Sequence, residues 1–187
     1  MDDQLNIKMF YGINNLAGEN LIFDKFMIVI AKYLLFVFIL FLLFLWLKKK
    51  EKRNFVLYSG YSAVTGIFLN FMIRLFYFHP RPFMENNGKI LINHSPETSF
   101  PSDHTTFMLS IAFIFLYFKK TRKIGIFLSI LGIIGGIARV YCGVHYPFDI
   151  LGSILVGGVS SCIIFLSRGK LKLLNKFFLN LSSRIRI

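Results

Sequence analysis

Long apolar runs, each closed by a cluster of lysines and arginines, constrain this chain more than any other feature. Residues 26–47, 54–78, 102–118, 124–141 and 150–166 are dominated by Phe, Ile, Leu and Val. Each is close to the roughly 17–25 residues that a helix needs to cross a hydrocarbon core. The expected fold is therefore an all-α integral membrane protein, a bundle of about five transmembrane helices in one domain, 1–187. Composition agrees: 55% of the residues are apolar and 23 are Phe, more than a soluble domain of this size can hide. The first run comes too late and is too long for a cleavable signal peptide. Gly60, Gly66, Gly132, Gly135, Gly136, Gly152, Gly157 and Gly158 lie within the runs, where small residues let helices approach closely.

Charge then sets the topology. Fifteen of the 22 basic residues fall in 48–53, 119–123 and 168–187; with Glu51 these segments carry +14, and the rest of the chain carries −1. Every cluster directly follows an apolar run, where the positive-inside rule places cytoplasmic loops. The net charge of +13 thus reads as orientation and contact with the lipid bilayer, with no nucleic acid as partner. Residues 167–187 are expected to be a basic cytoplasmic tail. Residues 1–22 mix apolar and polar positions in a weak amphipathic pattern, broken by Gly12 and Gly18, and predict an interfacial helix lying on the membrane. The segment 79–101 is polar, contains Pro80, Pro82 and Pro96, and forms the long loop on the outer side.

Three groups of residues meet on that outer rim: Arg74 with Arg81-Pro82, Pro101-Ser102-Asp103-His104, and Arg139-x5-His145-x3-Asp149. Three arginines are too costly at a bilayer rim without an anion to hold, and guanidinium suits phosphate. Ser102 adds a hydroxyl at the start of a helix, whose free N–H groups favour an anion. His145 is the better nucleophile: Asp149, one helical turn on, can take its Nδ1–H and leave Nε2 free to attack phosphorus. His104, at a helix N-terminus, is the better acid for the leaving oxygen. No metal or cofactor is expected; Cys142 and Cys162 read as core residues, too far apart for a disulfide.

These groups resemble the tripartite signature of the phosphatidic acid phosphatase type 2 superfamily: Lys-x6-Arg-Pro, Pro-Ser-Gly-His and Ser-Arg-x5-His-x3-Asp. The resemblance implies a metal-independent phosphatase with a covalent phospho-histidine on His145, oriented by Asp149, with His104 as acid. Arg74, Arg81, Ser102 and Arg139 would hold the phosphate. Three positions depart from the pattern. Arg74 stands for Lys and Ala138 for Ser. Asp103 stands for Gly, and its carboxylate should repel a phosphate unless an arginine neutralises it. The runs 100–106 and 143–149 resemble the bacitracin-resistance branch of the undecaprenyl pyrophosphate phosphatases. That branch implies hydrolysis of the C55 lipid carrier on the outer face of the bacterial cytoplasmic membrane. Glycerolipid phosphates as substrate, and an anion or lipid transporter that uses the arginines only to bind, are the alternatives.

Other polar residues read more plainly. His79 and His94 are expected to be solvated in the loop, Glu97 to be an ordinary loop residue, and Lys32 to snorkel to the interface. Phe76, Tyr77, Phe78, Tyr141 and Tyr146 read as an interfacial aromatic belt.

Overall fold

A computed structural model describes residues 3–184, with side chains as far as Ser182. Residues 1–2 and 185–187, the ends of the expected N-terminal helix and basic tail, lie outside the described residues. The chain forms α1 (Asp3–Asn14), α2 (Leu21–Lys48), α3 (Arg53–Phe76), α4 (Asp103–Leu116), α5 (Arg122–Tyr141) and α6 (Pro147–Arg184), with no strand among the described residues. Short 3-10 turns at Lys50–Lys52 and Pro82–Glu85 complete it. Four of these helices, α2, α3, α5 and α6, are long and apolar enough to cross a membrane.

The third expected span, 102–118, is the exception: there α4 has 14 residues. At 1.5 Å per residue it covers about 21 Å, less than a bilayer core of ~30 Å. It tolerates that length because protein, not lipid, surrounds it. Thr105, Thr106, Met108 through Ala112, Ile114 and Phe115 are all buried, and α3, α5 and α6 pack around it. The sheath comes close: a Cβ at Gly125 of α5 would lie 2.7 Å from the Leu116 backbone nitrogen. Large apolar side chains such as Phe36, Leu40, Phe68, Phe127 and Leu155 instead face outward, as lipid-facing residues do.

The two ends of the bundle depart from expectation in instructive ways. At the basic end α6 does not stop near residue 166 and give way to a tail; it continues as helix to Arg184. Its last turns find partners at the start of α3, where Asn175 Nδ2 donates to Asn54 Oδ1 (2.8 Å) and Arg53 Nη1 to Ser182 Oγ (3.2 Å). Arg53, counted above as an orientation charge, is buried there.

At the other end, α1 is not simply laid on a membrane surface. Phe10 is fully buried against Val140, Tyr146 and Ile150. Asn14 Nδ2 donates to the Lys89 and Tyr141 carbonyls, both at 2.8 Å, and Asn14 Oδ1 accepts from Lys89 N at 2.7 Å. The buried Asn14 thus ties α1 to the loop and to the end of α5, a bonding role that amphipathicity alone does not reveal. Cys142 is buried, whereas Cys162 is exposed on the apolar surface of α6, contrary to its reading as core. Lys32 is exposed on α2.

Candidate active site

The end of the bundle opposite the basic clusters is built around the connection between α5 and α6. Helix α5 ends at Tyr141, and Gly143 reverses the chain with φ +78°. A side chain there would be strained by that φ and would also strike the Lys89 carbonyl oxygen. Leu91 N donates to Cys142 O at 3.1 Å, so the loop is laced onto this turn.

Helix α6 then begins at Pro147, a residue preorganised for a first helical position. Its free N–H groups are met by side chains. Asn6 Oδ1 of α1 accepts from Phe148 N at 3.0 Å, and Asp149 Oδ2 accepts from Tyr146 N at 2.8 Å. Asp149 is thus the third helical residue reaching back to the cap, one half of a capping box. The same oxygen lies 3.2 Å from His145 Nδ1. His145 sits outside the helix, so its contact with Asp149 comes from cap geometry and not from a shared helical face.

His145 and Asp149 are buried, at 2% and 0% exposure. The other ring nitrogen, Nε2, lies 3.2 Å from Arg81 Nη1. Guanidinium only donates, so Nε2 carries the lone pair and Nδ1 carries the proton given to Asp149. Burial, then the positive charges of Arg139 and Arg81 and the neighbouring His94 and His104, hold the His145 imidazole well below the ordinary histidine value. A neutral imidazole with a bare Nε2 among cations is a competent nucleophile toward an anion.

The arginines divide into two kinds. Arg81, 2% exposed, spends its donors on the protein: Nε on Glu97 O (3.1 Å), Nη1 on Val144 O (2.9 Å), and Nη2 on Thr98 O (3.3 Å) with Glu97 Oε1 at 3.5 Å. It therefore fastens the loop to the His145 turn, and Glu97 is more than an ordinary loop residue. Arg139, 3% exposed, donates from Nη1 to Ala31 O at 3.1 Å. Among the described residues it has no carboxylate partner, and its buried Nε has no acceptor.

Arg74 binds Asp103 Oδ2 (2.8 Å) and Pro101 O (2.9 Å), again leaving Nε buried without an acceptor. Asn70 Nδ2 donates to Asp103 Oδ1 at 2.8 Å. The carboxylate that replaces the expected glycine is thus turned toward Arg74 and neutralised, not aimed at a phosphate. Ser102, fully buried, takes the N-cap position of α4 with extended backbone. Its hydroxyl makes no cap bond; it accepts from Thr105 Oγ1 at 3.2 Å. His104 is half-buried in the first turn of α4.

Comparisons with known proteins identify the family and the fold. The family model described as the PAP2 superfamily matches residues 55–172. The chain belongs to the PAP2 superfamily. An undecaprenyl-diphosphatase BcrC of Bacillus subtilis is 38% identical over 162 residues, covering 86% of this chain and 83% of that protein. A Bacillus licheniformis protein named bacitracin transport permease protein BcrC is 34% identical, covering 92% of this chain and 85% of that one. Among solved structures, Aquifex aeolicus LpxE superposes with a TM-score of 0.72 at 28% identity, over 86% of this chain and 94% of that chain. A transmembrane PAP2 type phosphatidylglycerolphosphate phosphatase from Bacillus subtilis shares the fold, with a TM-score of 0.64 at 20% identity over 91% of this chain and 87% of that one.

Two histidines of this PAP2 protein stand where the sequence did not lead. Neither His79 nor His94 is a solvated loop residue. The His94 ring centroid lies 6.4 Å from that of His145. His79 is stacked on Tyr77 and set edge-on to Tyr146, with Nδ1 2.8 Å from Ser99 Oγ and 3.6 Å from Asp149 Oδ1. Both are drawn in because the loop folds back over the turn instead of extending into water. No spacing rule connects a loop histidine to a site assembled from α4, α5 and α6; the only sequence signal is that His79 falls inside the Arg74-x6-Arg81 interval.

Proposed function

We propose that this protein dephosphorylates undecaprenyl pyrophosphate to undecaprenyl phosphate at the outer face of the cytoplasmic membrane, recycling the lipid carrier for cell-wall synthesis and conferring resistance to bacitracin. The observation that carries the reading is the His145–Asp149 pair, with Nε2 unprotonated against Arg81. The relatives supply the substrate class: an undecaprenyl-diphosphatase at 38% identity over most of the chain. The basic clusters at the opposite end of the bundle support the orientation, through the positive-inside rule.

The reaction then runs through side chains of this chain. The terminal phosphate enters among Arg74, Arg81, Arg139 and Ser102, and the unpartnered Nε–H groups of Arg74 and Arg139 are donors its oxygens can take. His145 Nε2 attacks phosphorus as Arg81 Nη1 moves from that nitrogen to a phosphate oxygen. The P–O bond to undecaprenyl phosphate breaks, and His104 gives that oxygen its proton. Asp149 balances the positive charge on the phosphorylated ring through Nδ1–H. Water then attacks phosphorus, His104 takes its proton, and inorganic phosphate leaves with His145 restored. Asp103 acts on the substrate only through Arg74.

The test is phosphate release from undecaprenyl pyrophosphate by the purified protein in detergent with a chelator present, beside phosphatidic acid and phosphatidylglycerol phosphate. Turnover of the C55 substrate above the glycerolipids is expected, with an acid-labile phosphoryl group trapped on His145. Equal or faster glycerolipid hydrolysis would replace the substrate. The permease name of the Bacillus licheniformis relative raises a transporter. A transporter leaves the His145–Asp149 pair without a task, and lipid flux that persists in a His104→Ala/His145→Ala double variant would favour it.

A further inference from the structure

Asp149 is held on one side only by the groups described so far. Oδ2 takes both Tyr146 N and His145 Nδ1, whereas Oδ1, fully buried, has no hydrogen-bond partner among the described residues. What Oδ1 faces is His79, 3.6 Å away at Nδ1. Ser99 Oγ lies 2.8 Å from His79 Nδ1 and 3.2 Å from both the His79 and Pro80 carbonyl oxygens. Placing its single proton on the carbonyls makes it the acceptor for His79 Nδ1–H. Nε2 is left as the basic nitrogen of His79.

On its far side His79 lines a cavity of about 240 Å³ shared with Asp3, Asn6, Glu85 and Tyr146. This cavity is separate from the phosphate site, since none of the three site arginines lines it. The chain of contacts therefore runs from the cavity through His79 and Asp149 to the nucleophile.

We propose that His79 is a positioning residue that tunes His145 through Asp149 and so sets an acid limit on turnover. Neutral, it packs behind Oδ1 and leaves the carboxylate's negative charge to His145. Protonated at Nε2, it becomes a cation beside Oδ1 and draws that charge away. The ring Nδ1–H of His145 is then less well held, and the phosphorylated imidazole loses part of its counter-charge. The step requires only a proton from water.

The groups that face His79 define when this happens. Asp149 of α6, Glu85 of the loop, Asp3 of α1, and the uncharged Tyr77, Ser99 and Tyr146 surround it; no lysine or arginine lines the cavity. Burial lowers its titration point below the ordinary value and outweighs Glu85 and Asp3, which raise it. His79 is therefore neutral at neutral pH, and the loss of turnover falls on the acid side of about 6.5.

This inference rests on the proposed chemistry of His145 but not on the lipid, so it is read on any lipid phosphate that the wild type hydrolyses. Failure of the wild type on undecaprenyl pyrophosphate alone would bear on the substrate and leave this test intact. The experiment is the pH profile of kcat and KM for wild type, His79→Asn and His79→Ala. Asparagine places an amide donor where Nδ1–H was and cannot become a cation. His79→Asn is expected to keep neutral-pH kcat within about 3-fold and to move the acid limb downward by at least about one pH unit. His79→Ala should lose about 10-fold in kcat at neutral pH with KM within about 2-fold, since the group never touches substrate. An acid limb in His79→Asn that coincides with the wild type, whatever the absolute rate, would overturn the proposal, and so would wild-type kcat in a folded His79→Ala protein.

Discussion

Arg53 and Arg81 stand at opposite ends of the bundle and look alike by burial, at 6% and 2% exposure. Both are fastened by backbone carbonyls: Arg53 Nε by Trp46 O at 2.8 Å, and Arg81 by Val144, Glu97 and Thr98. They differ in what else is present. Arg53 lies 5.1 Å over the Trp46 ring and bonds Ser182, with no titratable acceptor among its bonds. Arg81 shares Nη1 with the lone pair of His145, and its end of the bundle holds two further guanidinium groups with unpartnered Nε–H. Burial of an arginine in an apolar bundle thus marks structure as readily as chemistry. What marks chemistry is a donor set that the protein itself leaves incomplete, beside a neutral imidazole.

The largest effect should come from removing that imidazole. His145→Ala eliminates the attacking nitrogen and is expected to lower kcat by more than about 10³-fold, with no phosphoryl group trapped on the protein. Residual turnover within 10-fold of wild type would break the comparison at its root. Asp149→Asn follows, at about 10²–10⁴-fold in kcat, because an amide can present the wrong hydrogen-bonding partner to Nδ1 and gives no counter-charge. Part of that loss will be structural, since Asp149 also caps α6; circular dichroism and thermal unfolding separate the two.

His104→Ala removes the acid and should cost about 10²–10³-fold on an alkyl phosphate ester such as phosphatidic acid, whose alkoxide is a poor leaving group. The loss should shrink on an aryl phosphate, whose leaving oxygen needs no proton. An equal loss on both substrates would assign His104 to binding instead. Arg139→Lys is smaller again, about 10–100-fold in kcat/KM. The charge stays, but the fork that bonds Ala31 O and offers a second donor does not.

The contrast also explains what could be read without coordinates. Four of the spans were legible because a bilayer imposes a length and hydropathy rule on each segment by itself. The contact between His145 and Asp149 was legible because local geometry places both residues: a glycine turn, a proline first turn and a cap. Features that depend on which distant segments meet were not. Asn6 and Asn14 anchor α1 through bonds to residues 142 and 127 positions away, so an amphipathic pattern predicted only a surface helix. Asp103 looked like a charge set against the substrate until Arg74, Asn70 and Pro101 O came together around it. The extension of α6 depends on Asn54 and Arg53 meeting its last turns, a contact that a basic, polar stretch does not announce.

Arg53→Ala should have the least effect on turnover and sharpens the comparison most. It removes two side-chain hydrogen bonds and the contact with Trp46, and leaves Trp46 O near the end of α2 without that donor. A charge-assisted bond and a cation–π contact together are worth about 2–3 kcal/mol, which for a chain of this length is a fall in Tm of about 5–8 °C. The unfolding midpoint in detergent should drop accordingly, and proteolysis should enter first at the turn joining α2 to α3 or in the last turns of α6. Catalysis should not change: kcat/KM within about 2-fold of wild type below the new midpoint, with an unaltered pH profile. Because α3 carries both Arg53 and Arg74, a shift of the whole helix would be felt at the site as a raised KM. A Tm loss accompanied by a more than 10-fold rise in KM would therefore show that the two ends of the bundle are mechanically coupled through α3, and that burial at the basic end serves the phosphate pocket as well as the fold.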